Sequence, residues 1–122
     1  MGGRKIMIVE DSPAIAEVVK EELEREGYAV SVAQNGFEAL RDLEQINPDL
    51  IITDINMPKL DGLKLCWAIQ NRTETRNIPF ILLSSQFDQP TVDKGKEIGA
   101  RFFIAKPFEP RAVVECVKKV LA

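Results

Sequence analysis

The sequence predicts an α/β protein built on a doubly wound sheet of parallel strands. Three continuous apolar runs of strand length, at residues 6–9, 50–52 and 80–83, indicate strands that are covered on both faces. Segments with helical spacing of apolar residues lie between these runs. This alternation is typical of β-α-β units with right-handed connections, so we expect helices on both faces of the sheet.

The first β-α unit has clear boundaries in the sequence. Residues 6–9 form the first strand, and a helix is expected over residues 13–26. Ser12 is suited to cap this helix and Pro13 to occupy its first turn, while Gly27 is suited to the left-handed exit. The chain then returns to the sheet.

The second unit begins with a strand at residues 28–33, which alternates more between polar and apolar residues and therefore flanks the central strands. Asn35 and Glu38 resemble a capping box at the start of the second helix. The predicted buried face of that helix consists of Phe37, Leu40 and Leu43. Residues 50–52 then form the third strand.

The third unit has a helix after Gly62 that turns Leu65, Cys66 and Ile69 toward the core. The fourth strand, residues 80–83, leads to a helix after Pro90, which is the weakest prediction because Gly95 interrupts it. Glycine in a helix interior costs about 1 kcal/mol relative to alanine, so this helix is expected to be the most mobile. Residues 101–105 form the second flanking strand.

Pro110 opens the fifth helix, whose apolar stripe is formed by Val113, Val117, Val120 and Leu121. Five such units favour a flavodoxin-like sheet with the strand order 2-1-3-4-5. Three helices are then expected on one face of the sheet and two on the other.

Length, charge and cysteine content limit the classes of protein that fit. With 122 residues and a net charge of −3, residues 1–122 suit a single compact domain that does not bind nucleic acid directly. Neither a transmembrane run nor a signal peptide is visible, so a cytoplasmic protein without membrane association is expected. Cys66 and Cys116 lie far apart beside apolar residues, which favours small buried thiols over a disulfide or a metal site.

Acidic residues follow two of the predicted central strands. Glu10 and Asp11 follow the first strand and Asp54 follows the third, so their carboxylates converge at one edge if these strands are neighbours. Two carboxylates about 4 Å apart repel by roughly 4 kcal/mol at an effective dielectric constant of 20, so the cluster must take up a proton or a cation. Mg²⁺ is the simplest occupant, because it prefers oxygen ligands and often shares them with a phosphate.

Asp54 is the candidate nucleophile because it ends the most central strand. Attack on a phosphoryl group requires in-line positioning and neutralisation of the phosphoryl oxygens. Lys106 offers a point charge after the fifth strand, and the Ser84 hydroxyl offers a hydrogen bond after the fourth. Taken singly, these two residues are more simply an exposed lysine and a turn residue. Taken with the acidic cluster, they predict a phosphorylation site.

Five short motifs follow one another along the chain: Ile-Val-Glu-Asp at 8–11, Thr-Asp-Ile-Asn-Met-Pro at 53–58, Asp-Gly at 61–62, Ser84, and Gly-Ala at 99–100 leading to Lys-Pro-Phe at 106–108. Each motif is weak alone, but their order and spacing are specific. Over residues 5–121 the sequence resembles the CheY-like receiver domain of two-component response regulators. The resemblance implies a phosphoacceptor signalling module and not an enzyme.

The resemblance also implies roles for particular residues. The aspartate matching Asp54 accepts a phosphoryl group from the phosphohistidine of a partner histidine kinase or phosphotransfer protein. Mg²⁺ is held by the carboxylates of Glu10, Asp11 and Asp54 and by the main-chain carbonyl of Asn56. The residues matching Ser84 and Lys106 hold the phosphoryl group. The output partner is not indicated, and both a monomer and a phosphorylation-dependent dimer are compatible with the sequence.

A conformational switch is a further implication of the resemblance. Ser84 would move toward the phosphoryl group and leave space for Phe103 to turn inward, which would alter the surface of helix four, strand five and helix five. A phenylalanine that only packs in strand five is the alternative interpretation of Phe103. The resemblance implies a cis peptide before Pro107, and it places Asn56 and Gln86 on the path of the water that hydrolyses the phosphoryl group.

Three positions depart from the commonest receiver pattern. Ser85 stands where a smaller alanine is more usual, so it either crowds the phosphoryl entrance or adds a hydrogen-bond donor. Phe102 and Trp67 stand where polar or charged residues are typical. They are either exposed contacts of an interface or isolated surface hydrophobes.

Other classes of function remain as alternatives. Asp54-Ile55-Asn56 faintly resembles the Asp-x-Asp motif of haloacid-dehalogenase-type phosphohydrolases, but asparagine replaces the general acid. A flavin binder shares the fold, yet Glu10 and Asp11 stand where its phosphate loop would be. The third alternative is a receiver that binds proteins without phosphorylation. Since the 122 residues include no histidine, a phosphohistidine donor must come from elsewhere.

Overall fold

A computed structural model describes residues 3–57 and 60–122. Its elements follow in the order β1 (Lys5–Val9), α1 (Pro13–Arg25), β2 (Ala29–Ala33), α2 (Gly36–Ile46), β3 (Leu50–Asp54), α3 (Gly62–Gln70), β4 (Phe80–Ser84), α4 (Gln89–Glu97), β5 (Ala100–Ala105) and α5 (Pro110–Leu121). Pro58, part of one motif named above, lies outside the described residues, as do Met1, Gly2 and Lys59.

The five strands pair in parallel in the order β2-β1-β3-β4-β5, which confirms the predicted topology. Every residue of β3 and β4 is buried, as expected for central strands covered on both faces. The flanking strands β2 and β5 have mixed burial. The apolar runs in the sequence therefore identified the centre of the sheet correctly.

Two apolar cores lie on opposite faces of the sheet. One core joins alternate strand residues such as Met7 and Leu82 to helices α2, α3 and α4. The other joins strand residues such as Ile8 and Leu83 to α1 and α5. The expected division into three helices and two is therefore correct.

The helix boundaries agree closely with the sequence. Ser12 caps α1 by accepting a hydrogen bond from the Ile15 amide at 3.4 Å, and Gly27 has the expected positive φ of 94°. Helix α1 ends at Arg25, one residue earlier than predicted. Asp88 caps α4 by accepting from the Thr91 amide at 2.8 Å, so this helix begins before Pro90 instead of after it.

The predicted capping box of α2 is modified, and one of its predicted core residues is wrong. Asn35 Oδ1 accepts from the Glu38 amide at 2.9 Å, but Glu38 Oε1 accepts from the amide of Gln34, one residue before the cap. Phe37 is 56% exposed. The reason is that the buried stripe of the helix starts at Gly36 and continues through Ala39 and Leu43, which turns the residue after Gly36 outward.

Helix α4 does not break at Gly95. The helix continues through Gly95 to Glu97, and Gly95 is its one fully buried residue. A Cβ at this position would lie 2.6 Å from Phe103 Cε1 and 3.0 Å from Leu82 Cδ1. The glycine therefore serves close packing of α4 on the sheet, which the helix-propensity argument did not reveal.

The prediction of buried thiols is correct for Cys66 and only partly correct for Cys116. Cys66 and Cys116 are both free thiols, the first buried and the second half-buried. Burial raises the pKa of each thiol above its ordinary value. Among the described residues, no helix combines the length and the apolarity needed to cross a bilayer.

Candidate functional site

Four strands deliver polar side chains to the open carboxyl edge of the sheet. Asp54 and Ser84 are the last residues of β3 and β4, while Glu10 and Lys106 directly follow β1 and β5. Because β1, β3, β4 and β5 are consecutive in the sheet, these side chains converge. Glu10, Asp54 and Ser84 are all buried, so the site is set into the protein surface.

Three carboxylates form the acidic side of the site. Glu10, Asp11 and Asp54 each offer an oxygen, and these oxygens lie within 4.8 Å of one another. Glu10 and Asp54 are only 1% and 4% exposed, whereas Asp11 is open to solvent. The sequence prediction that β1 and β3 bring these acids together is correct.

Lys106 joins the two buried carboxylates. Its Nζ donates to Glu10 Oε1 and to Asp54 Oδ2, both at 2.8 Å. Burial would by itself lower the pKa of Lys106, but the hydrogen bonds to Asp54 and Glu10 outweigh it and raise the pKa. The ammonium is therefore charged at neutral pH, and the cluster keeps an excess of negative charge when all three acids are ionised.

Backbone groups orient the carboxylates. Glu10 Oε2 accepts from the Ser12 amide at 3.1 Å, and Asp54 Oδ1 accepts from the Asn56 amide at 3.2 Å. Burial raises the pKa of Glu10, and the hydrogen bonds from Lys106 and the Ser12 amide offset only part of that effect. Both carboxylates are thus held in fixed directions before any ligand binds.

The Ser84 side chain forms hydrogen bonds with Asn56 and Gln86, and among the described residues it forms none with Asp54. Its hydroxyl donates to the Gln86 carbonyl at 2.7 Å and accepts from the Gln86 amide at 3.1 Å. The Asn56 side-chain amide donates to the same hydroxyl at 3.0 Å. Asn56 therefore contacts Asp54 through its main chain and Ser84 through its side chain, a link that the sequence did not predict.

Phe103 lies half-buried on β5 between α4 and the loop after β4. Its ring meets that of Phe87 edge to face, with centroids 5.5 Å apart and planes at 88°. The other contact is with Gly95 of α4, as described above. Phe87 was not singled out in the sequence, since nothing in its local pattern shows that it meets an aromatic ring of another strand.

The close approach of α3 to Asp54 depends on Gly62. The Gly62 amide donates to the Ile55 carbonyl at 2.9 Å, and a Cβ on Gly62 would lie 2.3 Å from the Asp54 carbonyl oxygen. Glycine therefore lets the start of α3 pack on the backbone of the central strand. The Asp-Gly motif has a local physical explanation in this contact.

Outside this cluster, the remaining sequence predictions have mixed outcomes. The peptide between Lys106 and Pro107 is cis, as the resemblance implied. Ser85 is exposed beside the site. Trp67 is 59% exposed, whereas Phe102 is half-buried against the core of α1 and α5 and is therefore less available as a contact residue.

An apolar groove of about 450 Å³ opens beside Lys106. It runs between α1 and the segment after β5, and its wall includes Ile15, Val18, Pro107 and Phe108. Val18 is 46% exposed there.

Comparison with known proteins agrees with the fold and the site. The family model described as "Response regulator receiver domain" matches residues 6–118. The chain therefore belongs to the response regulator receiver domain family.

Particular relatives show where this chain stands in the family. It is 38% identical over 118 residues to the alkaline phosphatase synthesis transcriptional regulatory protein PhoP of Bacillus subtilis, covering 97% of this chain but only 48% of that protein. It is 33% identical over 116 residues to protein PilG of Pseudomonas aeruginosa, covering 95% of this chain and 86% of PilG. Among solved structures, chemotaxis protein CheY4 of Vibrio cholerae matches with a TM-score of 0.92 at 29% identity, over 98% of this chain and 99% of CheY4.

Proposed function

We propose that Asp54 accepts a phosphoryl group from the phosphohistidine of a partner histidine kinase or phosphotransfer protein. The observation that carries this proposal is the environment of the Asp54 carboxylate. It is buried at the end of the central strand, one oxygen accepts from a backbone amide, and the other faces the Lys106 ammonium at 2.8 Å. A preorganised carboxylate beside a fixed cation suits phosphoryl transfer, which depends on positioning and on charge neutralisation.

The donor set at this edge fits Mg²⁺. The carboxylate oxygens of Glu10, Asp11 and Asp54 are hard ligands within 4.8 Å of one another, and Lys106 balances only part of their charge. We assign these three carboxylates and the main-chain carbonyl of Asn56 as the metal ligands. The bound ion would neutralise charge on the phosphoryl oxygens.

The transfer step requires no further catalytic group from this chain. A carboxylate oxygen of Asp54 attacks phosphorus in line with the leaving imidazole, the O–P bond forms, and the P–N bond breaks. The electron pair of that bond stays on the departing nitrogen, and because the other ring nitrogen of the phosphohistidine already carries a proton, the imidazole leaves in its neutral form. Lys106 neutralises one phosphoryl oxygen, and the Ser84 hydroxyl donates to another after it leaves the Gln86 carbonyl.

The same movement of Ser84 supports a switch. Its hydroxyl now contacts Gln86, the neighbour in sequence of Phe87, and Phe87 packs on Phe103. Drawing Ser84 toward the phosphoryl group would change this loop and release space next to Phe103. The surface of α4, β5 and α5 would change as a result, while Asn56 and Gln86 would tune the hydrolysis of the phosphoryl group.

The partner would approach over the apolar groove between α1 and the segment after β5, since this surface adjoins Lys106. We place the module in the cytoplasm, because histidine kinases and phosphotransfer proteins act on response regulators there. The chain spans about half the length of the transcriptional regulators that it matches.

Intact-mass analysis after incubation with acetyl phosphate and Mg²⁺ tests this function. We expect a base-labile gain of one phosphoryl group that requires Mg²⁺ and is lost in Asp54→Asn. Asp93→Asn, an exposed acid on α4, is the matched control and should still be labelled. A parallel incubation with a phosphohistidine donor protein tests transfer from a protein as well as from a small acyl phosphate. If neither labels folded protein, Asp54 is not a phosphoacceptor.

A further inference from the structure

The outer face of α3 carries an exposed tryptophan that the core does not use. Leu65, Cys66 and Ile69 form the inner face of this helix and are fully buried. Trp67 points away from them and is 59% exposed. Tryptophan is among the residues that most often dominate binding at protein interfaces, so the surroundings of Trp67 decide whether it forms part of a binding surface.

Trp67 lines a groove of about 270 Å³ between α3 and α4, hereafter the α3–α4 groove. The residues that line it are Asp61, Leu63, Lys64, Trp67, Lys94 and Ile98. Its apolar surface comes from both helices, and its charged groups are two lysines and one aspartate. An apolar centre with charged groups around it is the usual anatomy of a protein-binding surface.

The charges of the α3–α4 groove are unbalanced. Lys64 and Lys94 are exposed, and neither ammonium forms an ion pair with any described residue. Asp61 Oδ1 already accepts from the Lys64 amide at 2.9 Å and caps α3. With two lysines and one aspartate, the groove has a net charge of +1 on a chain whose net charge is −3.

We propose that the α3–α4 groove binds an acidic segment of a partner protein, which inserts a large apolar side chain beside Trp67. The apolar lining matches such a side chain, and the two lysines match carboxylates that flank it. This surface lies apart from the phosphoacceptor cluster and from the groove next to Lys106. The test below uses the unphosphorylated chain, because Lys94 lies on α4, whose surface we expect phosphorylation to change.

Selection of random peptides of about 12 residues on the whole chain tests this binding. We expect the enriched peptides to be acidic and to contain at least one large apolar residue. Synthetic versions should shift the fluorescence of Trp67, the one tryptophan of the chain, to shorter wavelength as the indole leaves water. Lys64→Glu/Lys94→Glu should weaken binding on the order of tenfold at ~0.1 M salt.

Lys96→Glu/Lys119→Glu is the matched control, because it makes the same change in net charge at exposed positions outside the groove. It should leave the affinity within about twofold. No enrichment, enrichment of neutral or basic peptides, or equal binding by both double variants would overturn the proposal. A dimer in sedimentation that Lys64→Glu/Lys94→Glu abolishes would also overturn it, because a second copy of the chain would then be the occupant.

Discussion

At the scale of single residues, Lys106 neutralises part of the charge of the acidic cluster, whereas Asp11 adds a further negative charge to it. Lys106 contacts the two buried carboxylates at 2.8 Å, whereas Asp11 is exposed and has no ion pair among the described residues. With Lys106 in place, the protein folds with its buried acids paired. The carboxylate of Asp11 is not paired with any described residue, so its negative charge can attract a divalent cation.

Mg²⁺ should therefore stabilise the protein. The difference in stability between Asp11→Asn and the parent should have opposite signs with and without Mg²⁺. At a concentration about ten times its dissociation constant, Mg²⁺ should add about 1.4 kcal/mol to the free energy of unfolding. Without Mg²⁺ the variant should be at least as stable as the parent, because a repelling charge is gone. With Mg²⁺ it should be the less stable of the two.

Urea unfolding with and without Mg²⁺, at ionic strength matched with KCl, measures both effects. Asp93→Asn serves again as the control, and its response to Mg²⁺ should equal that of the parent. A response to Mg²⁺ that Asp11→Asn leaves unchanged would contradict the proposed ligand set.

At the scale of elements, helix α4 shows how packing on a strand overrides helix propensity. Gly95 lies inside the helix, where alanine is normally favoured by about 1 kcal/mol. Here a Cβ would approach within 2.6 Å of the Phe103 ring, which also packs edge to face against Phe87. The contact, not the local sequence, therefore explains the glycine.

The effect of Gly95→Ala should depend on Phe103. In the parent it should destabilise the fold by about 1 kcal/mol, because overpacking outweighs the gain in helix propensity. A Phe103→Leu background lacks the clashing Cε1, and the remaining close atom, Leu82 Cδ1 at 3.0 Å, is the end of a flexible side chain. The same substitution should therefore stabilise the fold by roughly 0.5 kcal/mol in that background. Urea unfolding of the four proteins gives the double-mutant cycle. The same sign in both backgrounds would refute the packing explanation.

A second prediction concerns the contact between α1 and α5. Glu26, at the end of α1, pairs with Lys118 at 2.6 Å and with Arg111 at 3.1 Å, both on α5. The hydrogen bonds from these two cations lower the pKa of Glu26 below 4.5. A carboxylate whose pKa is lower in the folded than in the unfolded state stabilises the fold at pH values above its unfolded-state pKa. This stabilisation is lost as the pH falls through the folded-state pKa.

Glu26→Gln should therefore have a lower melting temperature than the parent at pH 7, and the difference should shrink as the pH falls below 4.5. Glu24→Gln, an exposed neighbour without an ion pair among the described residues, is the control. Melting curves across this range of pH measure the difference. A difference that is independent of pH would show that the charge of Glu26 is not responsible.

At the scale of the whole molecule, the site and the surface of α4 and β5 are joined by contacts. The Ser84 hydroxyl contacts Gln86, Phe87 packs on Phe103, and Phe103 packs on Gly95. These contacts run from the carboxyl edge of the sheet to helix α4. A change at Asp54 that moves Ser84 would act on one end of them.

Hydrogen exchange should detect this coupling. After labelling with acetyl phosphate and Mg²⁺, amide exchange should change in α4 and β5. It should stay constant in β1, which is hydrogen-bonded to β2 on one side and to β3 on the other. Asp54→Asn under the same conditions should show no change. If labelled protein changes only in the loops next to Asp54, the switch through Phe103 is wrong.

The sequence by itself determined the sheet, its strand order and the convergence of Glu10, Asp11, Asp54 and Lys106. These follow from the local pattern, because buried parallel strands are continuous apolar runs and their carboxyl ends must share an edge. Three conclusions stay predictions: the roles assigned to these residues, the extent of the domain over residues 1–122, and the Mg²⁺ site.

Only the tertiary structure decided which neighbours each side chain meets. It turned Phe37 outward, placed Phe87 against Phe103, gave Gly95 a packing role and tied Ser84 to Asn56. These contacts join residues far apart in the chain. They depend on the distance and angle between packed elements, and neither quantity is encoded in the periodicity of any one segment.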